Sequence, residues 1–134
     1  MYLRKKRQAK PFDPTNPLEI QEGYALAGYL LYLQRQGKIQ VYSHLPHEQY
    51  TNSRTIKKKN KWSGVRAGVP DYIIVIKDKV IFLELKRKVG GVVSADQKEW
   101  LLALDNKLTV STVAKGFDEA KKFIDHILTR QGVL

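Results

Sequence analysis

Two short apolar runs around a polar break dominate the middle of the chain: Tyr72-Ile73-Ile74-Val75-Ile76 and Val80-Ile81-Phe82-Leu83, separated by Lys77-Asp78-Lys79. β-Branched and aromatic residues in runs of this length, bounded by turn residues, read as strands, and the short connection makes them a β-hairpin over residues 70–87. With Lys77 paired to Val80, antiparallel register sets Asp71 opposite Lys86 and Ile73 opposite Glu84. Side chains alternate between faces, so Glu84 and Lys86 project from the same side. Two carboxylates and an ammonium are thereby gathered at one end of an apolar sheet.

Periodicity places other elements around this hairpin. Residues 1–17 hold a basic run and then Pro11, Pro14 and Pro17, which reads as an irregular arm ahead of one domain over 18–134. Ile20, Tyr24, Ala27, Leu30 and Leu31 recur at helical spacing over residues 18–36, and Gly37 stands where that helix would stop. Residues 40–43 read as a short strand. Residues 44–68 are polar, basic and without clear period, a long connection of the kind that often carries function. After Gly90-Gly91, Ser94-Ala95-Asp96-Gln97 matches a capping box and opens a helix to about residue 106 with Trp100, Leu101 and Leu104 on its apolar face. Residues 108–114 alternate as a strand. A last helix over residues 118–130 turns Phe117, Ala120, Phe123, Ile124 and Ile127 inward. The predicted order is α-β-β-β-α-β-α, without internal repeat.

A chain of 134 residues suits one domain with a single core. It lacks cysteine, which excludes disulfides, thiolate metal sites and cysteine nucleophiles. Its apolar runs are strand-length, and the basic N-terminus leads into Pro11 and Asp13 rather than an apolar segment. Neither a membrane span nor a signal peptide is expected, and the expected location is the cytoplasm. Lysine and arginine outnumber acids 24 to 13, a net charge of +11. The charge is clustered at Arg4 to Arg7, at Arg54 with the lysines of 57–61, and at 86–88. That pattern predicts an anionic partner, nucleic acid first.

Asp71, after a proline at a strand start, has a turn residue's ordinary place. Glu84 is harder to explain so, because it interrupts an apolar strand; a plain salt bridge to Lys86 is its structural alternative. Two like unit charges about 4 Å apart repel by roughly 4 kcal/mol at an effective dielectric near 20. A cation between the carboxylates would remove that cost, and hard oxygen ligands point to Mg²⁺ or Mn²⁺. His44 and His47 are weak grounds for zinc, having no further soft ligand nearby.

Gly68-Val69-Pro70-Asp71, then Glu84-Leu85-Lys86, then Ser94-x-x-Gln97 with Trp100 resemble the PD-(D/E)xK nuclease superfamily. Within it the chain is similar to the small stand-alone VRR-NUC (virus-type replication-repair nuclease) domains. His44-Leu45-Pro46-His47-Glu48 and the basic stretch before Gly68 extend the resemblance over residues 18–127. It implies a restriction-endonuclease-like αβββαβα core, an α/β fold with a mixed central sheet flanked by helices. It also implies that Asp71 and Glu84 hold the metal, that Lys86 is the catalytic lysine, and that Gln97 supports the site or touches the nucleic-acid backbone. A glutamine at the third position of a capping box has a local role as well. The family's first-helix glutamate falls on Glu19 or Glu22; Glu22 aligns better, reaching the ion directly or through water. Either acid could instead answer the helix dipole.

Arg54, Lys57, Lys58, Lys59, Lys61 and Arg66, with Arg87 and Lys88, would contact phosphates, which position nucleic acid without reading its sequence. Trp62 would either stack on a base or pack the basic loop against the core, with packing the expected state. The resemblance implies an Mg²⁺-dependent endonuclease, Mn²⁺ substituting, that acts as a homodimer on branched DNA such as a Holliday (four-way) junction. The alternatives are the same chemistry on flap, nicked or duplex DNA, and a non-catalytic nucleic-acid-binding module on this fold.

Overall fold

The computed structural model describes residues 11–45 and 53–134. The basic run 4–7 and Pro46-His47-Glu48 lie outside the described residues. The elements, in order, are helix α1 (Glu19–Arg35), strand β1 (Val41–His44), helix α2 (Arg54–Trp62), the hairpin strands β2 (Tyr72–Ile76) and β3 (Lys79–Lys86), helix α3 (Ala95–Ala103), strand β4 (Thr109–Lys115) and helix α4 (Phe117–Arg130). The four strands form one sheet in the order β1-β2-β3-β4. β1 and β3 each run antiparallel to β2, and β4 runs parallel to β3 after the α3 crossover. The fold is therefore α/β with a mixed sheet, a restriction-endonuclease-like core.

Alternation along the strands separates the two faces. Tyr72, Ile74 and Ile76 of β2, Ile81, Leu83 and Leu85 of β3, and Ala114 of β4 are buried with Leu26, Leu30 and Leu33 of α1 and Ala120, Ile124, Ile127 and Leu128 of α4. Glu84, between Leu83 and Leu85, turns the other way, toward α3.

Three expectations change. The hairpin pairs Ile76 with Lys79 and Tyr72 with Leu83, two residues out of the expected register. Lys77-Asp78 is the connection, with Asp78 in the left-handed region (φ 60°) that aspartate tolerates better than most residues. A slip of two preserves every face, since the side-chain period is two. Carried one residue further, it sets Asp71 against Glu84 rather than Lys86. Second, residues 54–62 are helical rather than a loop. Ser53 caps this helix, its hydroxyl accepting from the Ile56 N–H at 3.3 Å, and lysine and arginine are good helix formers. Third, α1 buries Gly23, Leu26, Leu30 and Leu33, while Ile20, Tyr24 and Leu31 face outward. The helix is apolar on two sides, so spacing alone fits two stripes. Gly23 selects one, because its missing Cβ admits the Tyr72 hydroxyl and Leu85. No helix among the described residues is long and apolar enough to cross a membrane.

Candidate active site

The site begins where Gly68-Val69-Pro70-Asp71 enters β2. Gly68 has φ +87°, and a Cβ there would lie 2.5 Å from the Asp96 carbonyl carbon, so only glycine lets this segment touch the start of α3. The Trp100 indole N–H donates to the Ala67 carbonyl at 2.9 Å and ties α3 to the same segment. Asp71 follows and is 5% exposed. Its Oδ2 accepts the Leu85 backbone N–H at 2.7 Å, which holds the carboxylate beside the residue following Glu84.

Glu84 is 2% exposed. Its Oε1 accepts from Gln97 Nε2 at 2.5 Å and lies 3.3 Å from Lys86 Nζ. The Lys86 side chain, 13% exposed, is nearly as sheltered. Gln97 fills both of the roles that its sequence position allows. Its Oε1 accepts the Ser94 N–H at 2.9 Å, closing the capping box, and its amide nitrogen reaches Glu84. Because a backbone donor fixes Oε1, the nitrogen must point at the carboxylate. Glu84, Lys86 and Gln97 thus meet in one sheltered cluster, and Asp71 is tied to the same strand through the Leu85 amide.

Glu22 is not drawn into that cluster. It is buried, and its Oε2 accepts the Phe117 N–H at the start of α4. The N-cap of α4 is Gly116, which has no side chain to supply, so Glu22 acts as cap from another helix. Geometry explains the separation: α1 packs on the Tyr72 and Leu85 face of the sheet, opposite Glu84. Glu19 instead borders a groove of about 600 Å³ with Tyr24, Tyr42, His44, Asp71 and Tyr72. The Tyr72 phenol is pushed above its ordinary pKa by burial first, then by the negative charges of Asp71 and Glu19. The His44 ring lies tilted on Tyr72, 5.0 Å between centroids. Nothing in the sequence separates Tyr72 from the core residues around it, so this groove has no sequence signal.

The basic residues fall into three groups. Arg54, Lys57, Lys58, Lys59 and Lys61 ride on α2, which has no buried residue, and Trp62 at its end is 85% exposed rather than packed on the core. Arg66 borders a second groove with Asp96, Glu99 and Trp100. Arg87 is structural. Its Nε and Nη2 donate to the carbonyls of Pro17 at 3.1 Å and Asn16 at 2.7 Å, fastening the arm to the sheet. Lys88 lies 3.5 Å from Asp118 at the start of α4.

Among the described residues no three histidine, cysteine or acidic side chains form a group that could hold a metal ion. The donor set at Asp71 and Glu84 nevertheless fits Mg²⁺ or Mn²⁺. Magnesium commonly takes one or two carboxylates and completes its shell with water and phosphate oxygens. Two carboxylates and one ammonium leave a net negative charge that a cation would balance.

No family model and no curated protein matches the chain. A solved structure described as a "VRR_NUC domain protein" superposes with a TM-score of 0.59 and 25% sequence identity, over 78% of this chain and 85% of that one. Across most of both lengths, this chain is therefore similar in topology to a VRR-NUC domain protein, which supports its assignment as a VRR-NUC-type domain.

Proposed function

We propose that the protein is a divalent-metal-dependent endonuclease that hydrolyses phosphodiester bonds in DNA. The observation that carries this reading is the sheltered meeting of Glu84 with Lys86 and Gln97, beside an Asp71 held on the next residue's amide. Asp71 and Glu84 would hold the ion, which when bound supplies charge neutralisation and Lewis-acid polarisation of a phosphoryl oxygen. Lys86 holds its ammonium beside the Glu84 carboxylate, where it can stabilise charge that develops on the scissile phosphate. Gln97 fixes the orientation of Glu84, as partners of ligating carboxylates commonly do. The exposed lysines of α2 supply phosphate contacts away from the reacting centre.

Four-way junctions are the favoured substrate and a homodimer the favoured assembly. A two-fold dimer with two sites suits a two-fold branched substrate, and the outward side chains of Ile20, Tyr24 and Leu31 on α1 give one protomer an apolar surface to offer another. Flaps, nicks and linear duplex are ranked against junctions by cleavage rates at matched salt. The purified protein is expected to cleave a synthetic junction with Mg²⁺ and to stop in EDTA. Lys86→Ala is expected to lose about 10²- to 10³-fold in rate, as when one stabilising donor is removed. Asp71→Asn and Glu84→Gln are expected to lose at least as much while keeping wild-type circular dichroism. Cleavage retained by all three variants would remove the hydrolytic assignment. A protein that binds junctions but takes up no Mn²⁺ by calorimetry would be the non-catalytic module instead.

A further inference from the structure

Helix α2 presents its side chains to water on every side: none of its residues is buried, and Trp62 is 85% exposed. A large aromatic held in water is informative where an exposed lysine is not. The chain's other tryptophan, Trp100, is half-buried and donates its indole N–H to Ala67, so it is committed to packing. Arg54, Lys57, Lys58 and Lys61 stand at i, i+3, i+4 and i+7, which on a helix is a single stripe. They span about 10 Å along the axis, comparable to roughly three phosphates at the axial spacing of one DNA strand. Trp62 follows Lys58 by four residues and borders that stripe.

Phosphate contacts alone cannot distinguish branched from continuous DNA, because every duplex offers them. An aromatic face can. Paired bases are already stacked on both sides, whereas a base that has left its pair has an open π-face. We infer that α2 is a branch-reading element: its basic stripe holds the backbone while Trp62 stacks on an unpaired base. The inference rests on the nuclease reading for the identity of the polymer, but not on hydrolysis.

The test is equilibrium binding in EDTA, by fluorescence anisotropy, at matched salt. The probes are a synthetic four-way junction carrying one unpaired 2-aminopurine at its branch point and a continuous, fully paired duplex of the same length. One stacked base corresponds to about 5- to 150-fold in affinity. Trp62→Ala is expected to weaken junction binding by an amount in that range and duplex binding by less than about twofold. Trp62→Phe keeps an aromatic face and is expected to restore most of the junction affinity. Lys58→Ala with Lys61→Ala is expected to weaken both probes alike and flatten the salt dependence. The 2-aminopurine emission should be quenched on binding by wild type and not by Trp62→Ala. Unchanged junction affinity in Trp62→Ala, or equal loss on both probes, overturns the inference. A protein that binds through Trp62 yet never cleaves would defeat the catalytic proposal and leave this one standing.

Discussion

Removing the Glu22 carboxylate separates a cap from a metal ligand. In the structure this buried side chain crosses from α1 to accept the Phe117 N–H, at a helix start whose own N-cap is glycine. Losing an N-cap acceptor costs about 0.5–2 kcal/mol. A charge-assisted hydrogen bond lost inside the protein costs about 1.5–3 kcal/mol. These overlap, since one contact serves both, so Glu22→Ala is expected to destabilise by about 2–3 kcal/mol. For a chain of this size that lowers Tm by roughly 6–15 °C. Glu22→Gln keeps an acceptor oxygen and loses only the charge at the positive end of α4, about 0.5–1 kcal/mol. Thermal and urea melts by circular dichroism, both in EDTA, isolate the packing effect from any ion. If Glu22→Ala melts with wild type while cleavage collapses, the cap argument is wrong and Glu22 belongs at the metal.

Two further outcomes follow from contacts already described. Gln97→Glu keeps the capping-box acceptor for Ser94 but sets a second carboxylate where an amide now donates to Glu84. It is expected to melt below wild type in EDTA, because two like charges about 4 Å apart repel by roughly 4 kcal/mol at an effective dielectric near 20, and to lose about 10- to 100-fold in metal affinity or rate, read by Mn²⁺ calorimetry and junction cleavage; unchanged metal affinity would contradict it. Tyr29 donates its phenol proton to Asp125, and burial first, then this hydrogen bond, pushes its pKa up. A raised folded-state pKa gives stability that is whole below the unfolded value, near 10, and is lost as pH rises above it. Tyr29→Phe is expected to be less stable at neutral pH and to show a shallower alkaline decline in urea melts between pH 9 and about 11; an unchanged slope would exclude Tyr29 as its source.

What is legible in the sequence follows local rules. Two β-branched runs around a polar break mark the hairpin, and Ser94-x-x-Gln97 marks the start of α3, because strand periodicity and capping depend on neighbours in sequence. The register differs by two because either of two adjacent residue pairs can form the connection; faces survive such a slip, which is why Glu84 and Lys86 still read on one side. Helix α2 is invisible to periodicity because it has no apolar stripe: its helicity rests on propensity and the Ser53 cap. Trp62 is expected inside because tryptophan usually is, and no local pattern reports that it stands 85% exposed at the end of α2. Glu22 is the plainest case. Its partner lies 95 residues away in the chain, at a helix end that only the folded sheet brings close.

The placement of the acids argues against a purely structural role for them. Asp71 and Glu84 are almost wholly buried, and removing a carboxylate from water costs on the order of several kcal/mol even after relaxation. Leu85, Gln97 and Lys86 offset part of that cost through the contacts they make. A sheet that needed only stability would do as well with apolar residues of similar volume, since buried ion pairs are often replaceable by them without loss. Arg87 and Glu22 show what structural charge looks like in this molecule: each meets backbone groups at a chain junction and holds two segments together. Glu84 meets α3 through Gln97, whose capping oxygen already anchors that helix without it. Its carboxylate is turned toward α3 and away from the α1–α4 core, and the cation of the proposed hydrolysis would balance its charge there.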